Sequence, residues 1–434
     1  MTEVIEQIKV KEIKQGKEKR NVPRLRFRGF EDEWIEKRIS DFLDFYTTNS
    51  LSRENLTYEK GEIKNIHYGD IHMKFPVMLD VEKNSIPFIN DLVDASKFKC
   101  ESFCRKGDII IADASENYED IGKVVEIVNM GNSKVVAGLH TILGRDNTGT
   151  TSVGFKGYIF QSNNVRKQIK VLAAGAKVLG ISKSNLSSIR VNIPILQEQK
   201  KIAHFFALID KKIEKQSEKV EALKTYKKGI MQKIFKQEIR FKDENGREYP
   251  EWEEKRLGDI IELKSVRNSN NNVNFILSVS NSKGFICQDE QFEDRIVASS
   301  NVSNYKVVNK DDFAFNPSRI NVGSIARLKY FEQGIVSPMY ICFRCKSRLK
   351  NDFLEFFLDT YHFNAQVKNK LEGSVRQSLS SDSLCSIKIN LPCLKEQVKI
   401  ANFLTIINKK IEKEEKKLEK LKVYKKGLLQ KMFV

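Results

Sequence analysis

The sequence contains no apolar run long enough to cross a bilayer, and this absence limits the class of protein. The longest apolar stretches, such as Ile109-Ile110-Ile111-Ala112, have the length of a strand, whereas a spanning helix needs about 20 apolar residues. Residues 1–20 mix charges with isolated valine and isoleucine and lack the apolar core and small-residue cleavage site of a secretory signal. We therefore expect a soluble, cytoplasmic protein.

Cysteine and histidine are scarce, which argues against metal chemistry. The 7 cysteines are an odd number scattered along the chain, a pattern typical of reduced thiols in a reducing compartment. Only Cys342 and Cys345 have a spacing seen at zinc sites, and they lie in a predicted strand, where thiols three positions apart point to opposite faces. The 5 histidines show no triad or metal-helix spacing, so we expect no metal site.

Motifs of stand-alone enzymes are also missing. The sequence has no G-x-x-x-x-G-K-[ST] phosphate loop. Asn316-Pro317-Ser318 matches only the start of the Asn-Pro-Pro-aromatic motif of amino-methyltransferases, and Glu262-Leu263-Lys264 matches a nuclease tripeptide without a convincing acidic partner. We interpret the first as a turn and the second as a tripeptide that is frequent in lysine-rich chains, and predict a chain that is non-catalytic by itself and holds no cofactor of its own.

Positive charge, in contrast, is abundant. The 75 Lys and Arg residues against 57 Asp and Glu give a formal net charge of +18, which favours a polyanionic partner, nucleic acid foremost. Lysine also favours helices and solubility, so charge alone leaves the simpler explanation open.

An internal repeat determines the predicted architecture. Residues 194–235 and 392–433 align at an offset of 198 without a gap, and 25 of the 42 pairs are identical. A weaker similarity relates residues 34–41 to residues 252–259 at an offset of 218. Two copies predict a pseudo-twofold molecule, since a solenoid needs at least about three units.

Each repeated segment predicts one long helix with a coiled-coil seam. Apolar residues recur with a 3.5-residue period, and a continuous helix over residues 198–235 would be roughly 57 Å long. We expect the two helices to pair with each other in an antiparallel coiled coil; the alternative is that each packs on its own domain. The predicted seam residues are Ile202, Phe206, Ile209, Ile213, Val220, Leu223, Ile400, Leu404, Ile407, Ile411, Leu418 and Leu421.

The intervening sequence alternates short apolar runs with turn signals and has at least one predicted helix per copy. This pattern predicts an α+β fold with two globular domains and mainly antiparallel sheets, separated by the two long helices. The predicted segments are a charged tail (1–22), a first globular domain (23–193), a first spacer helix (194–236), a second globular domain (237–391) and a second spacer helix (392–434).

Loops of both globular domains mix basic, amide and aromatic residues, as expected of a nucleic-acid contact. Arg and Lys suit guanine edges and phosphates, whereas Asn and Gln suit adenine. For any single residue, a solvated surface role is the commoner alternative. The candidates are Tyr68, His72, Lys74, His140, Arg145, Asn147, Lys177 and Lys183 in the first domain, and Asn281, Lys283, Arg319, Asn321, Arg376 and Gln377 in the second.

Taken together, these features resemble the specificity (S) subunits of type I restriction-modification systems. The matching residues are 23–30 leading to Trp34, the sequence Tyr68-Gly69-Asp70-Ile71, and the Pro-x3-Glu-Gln start of each repeated helix at Pro194 and Pro392. The resemblance covers essentially the whole chain, and the doubled helix start is its most specific part.

The resemblance implies two target-recognition domains that read a bipartite, asymmetric site in double-stranded DNA, the first domain the 5′ half and the second the 3′ half. The helices would fix the unread spacer, and readers on one face of DNA stand about 34 to 36 Å apart. It also implies that the chain scaffolds two methyltransferase (M) subunits and the restriction/translocase (R) subunits. S-adenosylmethionine, ATP and Mg²⁺ would be held by those partners. The alternative is a stand-alone coiled-coil DNA-binding protein without catalytic partners.

Overall fold

The two lysine-rich repeats form the longest helices of the molecule. In this computed structural model, which describes residues 21–281, 283–288, 302–373 and 377–434, the first long helix spans Leu196–Phe235 and the second long helix spans Leu394–Met432. Each begins two residues after the proline of its repeat, because proline ends the preceding strand and suits the approach to a helix. The predicted charged tail 1–22 lies outside the described residues, except for its last two.

Each long helix is divided between two compact units. The first unit comprises the chain up to residue 217 together with residues 416–434, and the second unit comprises residues 218–415. The first unit is therefore discontinuous in sequence. The predicted segments set the helices apart from the globular domains, whereas here each unit includes one half of each helix.

The first unit combines short helices with thirteen described strands. Besides its half-helices it contains the α-helices Tyr68–Met73, Phe155–Ile159, Asn163–Leu172 and Lys183–Ser188. Its 3-10 turns are Ile39–Asp41, Arg53–Asn55, Ala95–Lys97 and Cys100–Ser102. Its strands are β1 (Ile35–Arg38), β2 (Asp44–Tyr46), β3 (Leu56–Thr57), β4 (Ile63–Ile66), β5 (Met78–Asp80), β6 (Phe88–Ile89), β7 (Ile109–Ala112), β8 (Ala114–Ser115), β9 (Val124–Asn129), β10 (Lys134–Ala137), β11 (Thr141–Arg145), β12 (Leu179–Gly180) and β13 (Arg190–Ile193).

A five-stranded sheet in the order β2-β11-β7-β9-β5 forms the centre of the first unit. The four-residue apolar run Ile109–Ala112 is its middle strand and is buried on both faces, as a continuous apolar run predicts. A four-stranded sheet, β10-β4-β6-β3, and the pairs β1-β13 and β12-β8 complete the described pairing. The pairs β10–β4 and β5–β9 are parallel, and the others in this unit are antiparallel.

The named strand pairs of the second unit are antiparallel, and an isolated parallel bridge joins Ile276 to Ile335. The sheets of this unit have the orders β14-β23, β15-β22-β19-β20, β16-β17 and β18-β21. The strands are β14 (Glu253–Arg256), β15 (Ile261–Lys264), β16 (Leu277–Ser280), β17 (Gly284–Cys287), β18 (Lys306–Asn309), β19 (Phe313–Phe315), β20 (Ile325–Arg327), β21 (Gln333–Val336), β22 (Ile341–Cys345) and β23 (Lys388–Leu391). The helices are Leu257–Ile260, Asn351–Leu358, Tyr361–Asn369 and Ser381–Cys385, with a 3-10 helix at Pro317–Val322. The predicted α+β class is confirmed.

Within each unit, the halves of the two long helices contact one another. In the first unit Asp210 pairs with Lys425 at 2.6 Å, and the rings of Phe206 and Phe433 lie 6.1 Å apart. The residue number rises on one helix as it falls on the other, so the two halves run antiparallel. In the second unit Lys219 pairs with Glu414 at 2.7 Å.

The predicted seam residues all lie on packed sides of the helices. Seven of the twelve are buried and five are half-buried. The apolar pattern of the seam is interrupted at equivalent positions of the two repeats by the polar residues Gln216 and Glu414, and both are buried as well. Polar groups at such positions can fix the register of a helix pair at a cost in stability. That these residues pair the two long helices as a coiled coil stays a prediction.

A buried glutamate anchors the start of each long helix. Glu198 accepts hydrogen bonds from Nε and Nη2 of Arg26, both at 2.8 Å. Glu396 accepts from Nη2 of Arg240 at 2.9 Å and from the indole Nε1 of Trp252 at 3.0 Å. Arg26 lies in the segment before β1 and Arg240 lies in the segment after the first long helix, so segments at different places in the chain pair with equivalent helix starts.

Among the described helices, none is both long enough and apolar enough to span a bilayer. Among the same residues, no group of three or more His, Cys, Asp or Glu side chains is arranged to hold a metal ion.

Candidate nucleic-acid interface

In the first unit, the aromatic ring of Tyr68 is the centre of a histidine cluster. Its centroid lies 4.7 Å from that of His67, 5.7 Å from His72 and 5.2 Å from His140. His140 has a positive φ of 52° and its Nδ1 lies 3.4 Å from a carboxylate oxygen of Asp113. Three predicted interface residues therefore meet at one place: Tyr68 and His72 from the short helix Tyr68–Met73, and His140 from a distant segment of the chain.

An open cleft of about 550 Å³ adjoins this histidine cluster. It is lined by residues 47–51, by Lys97 and Lys99, and by Asp113 and His140. The lining thus mixes amide, hydroxyl and cationic groups, which can donate to phosphates and to base edges.

The remaining predicted residues of the first unit differ in how far they are free to contact DNA. Lys74 is exposed and its Nζ donates to the Tyr58 hydroxyl at 2.8 Å. Lys183 is exposed and donates to the carbonyl oxygen of Tyr46 at 3.1 Å, and the exposed Asn147 donates to the hydroxyl of the same tyrosine at 2.8 Å. The backbone and side chain of Tyr46 therefore hold two candidate side chains close together.

Lys177 takes part in none of these contacts. It is an exposed residue of the loop between the helix Asn163–Leu172 and β12, and no ion pair or hydrogen bond of its side chain is present among the described residues. Its position is compatible with a phosphate contact, and it stays a prediction.

Arg145 must be removed from the candidate interface. Its side chain is 5% exposed and is paired with Asp108, which is 2% exposed, at 2.7 Å. The same guanidinium donates to the carbonyl oxygen of Phe103 and lies over the ring of Tyr46. A guanidinium with these partners stabilises the sheet and cannot reach DNA while the unit is folded.

Burial shifts the pKa of one histidine of this cluster, His67. Burial and, to a smaller extent, the nearby Arg53 guanidinium lower the pKa of His67 to about 4, so His67 is neutral near pH 7. Its Nδ1 accepts a hydrogen bond from the backbone N–H of Gly69 and caps the short helix Tyr68–Met73. Burial also raises the pKa of Asp113, against the opposing effects of His140 and Lys183.

Sequence reasoning missed Arg53, which belongs to this surface. Its Nη1 donates to the fully buried carboxylate of Asp70 at 2.7 Å, while its own side chain is 44% exposed. This hydrogen bond raises the pKa of Arg53 further. One signal was available, because Asp70 lies beside the apolar Ile71 in a short helix and a carboxylate on a buried surface requires a partner.

In the second unit, three predicted loops come together. Asn281 and Lys283 are exposed in the turn between β16 and β17, and the carbonyl oxygen of Asn281 lies 3.8 Å from the position of a Cβ on Gly323. Gly323 has a φ of 89° and ends the 3-10 helix Pro317–Val322. That helix carries Arg319 and Asn321, both exposed.

The third predicted loop, which contains Gln377, is connected to the 3-10 helix Pro317–Val322 by a backbone hydrogen bond. The N–H of Leu379 donates to the carbonyl oxygen of Pro317 at 3.1 Å, which brings the exposed Gln377 to the same region. Arg376 lies outside the described residues. The side-chain oxygen of Asn316 accepts from the N–H of Ser318 at 3.1 Å and caps the 3-10 helix. The sequence Asn316-Pro317-Ser318 therefore has a structural role as a helix cap.

Comparison with known proteins places these units in a family. The family model described as the type I restriction modification DNA specificity domain matches residues 31–224 and 249–423. The chain belongs to this family. It is accordingly a DNA specificity protein of the type I restriction-modification class, with two specificity domains, and the family is non-catalytic in itself.

Two curated relatives of this specificity protein come from Methanocaldococcus jannaschii. The putative type I restriction enzyme MjaX specificity subunit is 24% identical over 425 residues, which is 92% of either chain. The type I restriction enzyme MjaVIII specificity subunit is 24% identical over 295 residues, covering 63% of this chain and 68% of that one.

Two solved structures share the fold. The S subunit of a type I restriction-modification system from M. genitalium has a TM-score of 0.55 and 17% identity, and the match covers 95% of this chain and 99% of that one. A chain from a structure on complex assembly and conformational transition of the type I R-M system has a TM-score of 0.52 and 13% identity, covering 91% and 96%.

Proposed function

We propose that this specificity protein reads a bipartite, asymmetric sequence in double-stranded DNA, one half with each unit, and scaffolds methyltransferase and restriction subunits. In this proposal the two long helices pair as an antiparallel coiled coil, related by a pseudo-twofold repeat, and form the spacer. S-adenosylmethionine, ATP and Mg²⁺ are bound by the partner subunits and not by this chain.

One observation carries the DNA-reading part of the proposal: the two long helices repeat one another, with 25 of 42 aligned residues identical, whereas the loop clusters of the two units are dissimilar. The first unit presents Tyr68, His140 and Lys183, whereas the second presents Asn281, Arg319 and other amide or basic residues. Base edges in the major groove are distinguished by the arrangement of donors and acceptors. Dissimilar clusters therefore favour dissimilar half-sites and an asymmetric target.

The scaffold part rests on apolar side chains that the helices leave exposed. Tyr226 and Tyr424, which are equivalent in the repeat, are 54% and 50% exposed, and the equivalent Leu208 and Ile406 are 41% and 66% exposed. Exposed apolar groups that recur at matched positions favour a protein partner. Because each position occurs once per unit, we propose that the chain binds two copies of one partner, the methyltransferase subunit.

The test is co-expression with a candidate adenine methyltransferase subunit, followed by mapping of methylated adenines and native mass spectrometry of the complex. We expect a split motif with a fixed gap and two partner copies per chain. Tyr226→Ser and Tyr424→Ser form a matched pair, each expected to lose one copy, while the double variant loses both. A chain that forms no complex, directs no methylation and binds DNA without sequence preference would instead be a stand-alone coiled-coil DNA-binding protein.

A further inference from the structure

Arg53 is held by a carboxylate that water does not reach. Its Nη1 donates to Oδ2 of Asp70 at 2.7 Å, and the Asp70 side chain is fully buried. A buried charge is costly unless it is paired. The folded unit therefore favours the arrangement in which Arg53 stays on Asp70, although 44% of the arginine side chain faces solvent.

A second contact restrains the plane of the same guanidinium. Its Nη2 lies only 3.2 Å from the position that a Cβ would occupy on Gly69. The absence of a side chain at Gly69 thus lets the guanidinium lie against the backbone. With Nη1 bound to Asp70 and Nη2 placed against Gly69, two of its nitrogens have defined positions.

Arg53 adjoins residues already assigned to the candidate interface. Its charge and that of His140 both influence His67, so the three groups lie within electrostatic range. Tyr58, which is half exposed, accepts from Lys74 and contributes to the raised pKa of Arg53. Arg53 therefore belongs to the same cationic and aromatic surface as Tyr68 and Lys74.

The restraint on Arg53 distinguishes two roles that an interface arginine can have. A phosphate contact requires charge and tolerates a mobile side chain, whereas a guanine contact requires a planar fork aligned with O6 and N7. Arg145 also lies on a buried carboxylate, but it is 5% exposed and cannot reach DNA. Arg53 combines a fixed anchor with exposure, which favours base reading.

We propose that Arg53 reads a guanine in the half-site contacted by the first unit, with Asp70 as the residue that positions it. This inference rests on the proposed DNA-reading function and adds one residue and one base to it. Arg53 touches the base and Asp70 positions Arg53; the other carboxylate oxygen of Asp70 lies 3.4 Å from Nζ of Lys74.

The test is selection of duplex DNA from a random pool by the full chain in its co-expressed complex, followed by sequencing and by affinity measurements at several salt concentrations. We would compare the wild type with Arg53→Ala, Arg53→Lys and Asp70→Asn. Arg53→Lys keeps a cation beside Asp70 but lacks the fork, so it tests base reading where Arg53→Ala fails to fold. The matched control is Arg190→Ala, an exposed arginine of the same unit whose side chain pairs with the exposed Glu36.

We expect the wild type to require guanine at one position of one half-site, by about 5- to 150-fold over other bases. Arg53→Lys and Arg53→Ala should lose that requirement and keep the other half-site and the gap. Asp70→Asn should weaken the same requirement, a change at one base that general loss of stability would not produce. Arg190→Ala should leave the motif as in the wild type.

Three results would overturn the inference in distinguishable ways. Arg53→Lys that retains the full motif would show that the arginine does not read a base. A uniform loss of affinity on all sequences, with a salt slope smaller by about one, would identify a phosphate contact instead. A wild-type complex that selects no sequence would contradict the proposed function itself, and the inference with it.

Discussion

The buried glutamates at the two helix starts are expected to respond differently to loss of their arginines. Arg26→Ala leaves Glu198, which is 1% exposed, without its bidentate partner. Arg240→Ala leaves Glu396 with the hydrogen bond from Trp252 at 3.0 Å. In the first unit the corresponding indole N–H of Trp34 is buried without a hydrogen-bond partner among the described residues, so it offers Glu198 no such compensation.

The magnitudes follow from the cost of an unpaired buried charge. Breaking a buried ion pair by removing one partner costs about 3–5 kcal/mol, and a hydrogen bond to a charged group contributes about 1.5–3 kcal/mol. We therefore expect Arg26→Ala to lower the free energy of unfolding of the first unit by about 3–5 kcal/mol. Arg240→Ala should affect the second unit by roughly 2 kcal/mol less, because Trp252 still donates.

Hydrogen exchange in graded denaturant, read by mass spectrometry, measures the two units separately, as a chain with two compact units requires. Peptides covering β7 report on the first unit and peptides covering β19 on the second, so each unit is the reference for a change in the other. Exposed Arg24→Ala is the control substitution. The reasoning is refuted if Arg240→Ala costs as much as Arg26→Ala, or if Arg26→Ala/Glu198→Gln fails to recover stability relative to Arg26→Ala alone.

Three further predictions concern the seam, a buried ion pair and a histidine. Ile213→Asp places a carboxylate in the seam and should abolish co-purification with a methyltransferase subunit, whereas Lys211→Asp on the exposed side should not. Normal assembly of the Ile213→Asp variant would contradict the predicted role of the seam in helix pairing. Arg145→Ala leaves Asp108 buried without its cation and should destabilise the first unit by about 3–5 kcal/mol in the exchange measurement, with unchanged DNA half-sites. The pKa of His67 is about 4 when folded against an ordinary 6.5, so the unfolded chain binds more protons between these values, and stability is full above pH 6.5 and falls as the pH approaches 4. The loss is at most about 3 kcal/mol before solvent screening, and urea titrations followed by circular dichroism should show a flatter pH dependence for His67→Asn, which can still cap the helix.

The repeat made the long helices predictable, and the sheets were harder for a physical reason. Helical periodicity and the prolines are local signals, so the predicted helical segments begin within two residues of Leu196 and Leu394. Strand pairing depends on contacts far apart in sequence. The parallel pairs β10–β4 and β5–β9 had no local signal, and the sequence pattern predicted only mainly antiparallel sheets.

The globular regions also share a contact that their diverged sequences conceal. In the first unit Asp108 accepts from Nε of Arg145 at 2.9 Å, and in the second Asp312 accepts from Nε of Arg344 at 2.6 Å. Each aspartate precedes a central strand and each arginine lies on the neighbouring strand. The spacing between partners differs in the two units, so no gap-free alignment reveals the equivalence.

The candidate site shows the same limit at the level of single residues. Arg145 and Arg53 are both arginines near turns, and nothing local distinguishes the buried one from the exposed one. Their difference comes from Asp108 and Asp70, whose positions depend on the folded sheet and on the short helix Tyr68–Met73. Loop composition was enough to predict the region of the candidate interface. Which of its side chains are exposed and able to donate hydrogen bonds to DNA could be known only from the folded structure.

The discontinuity of the first unit has a consequence for the time course of synthesis. The ring of Phe433 lies 6.0 Å from Trp34, 5.9 Å from Phe155 and 6.1 Å from Phe206, yet the ribosome makes residues 218–415 before it reaches that phenylalanine. At about 5–20 residues per second, this interval lasts about 10 to 40 s. The second unit is continuous in sequence and is therefore synthesised completely before the first unit. Until residues 416–434 are made, the nascent first unit exposes the apolar surface that they cover.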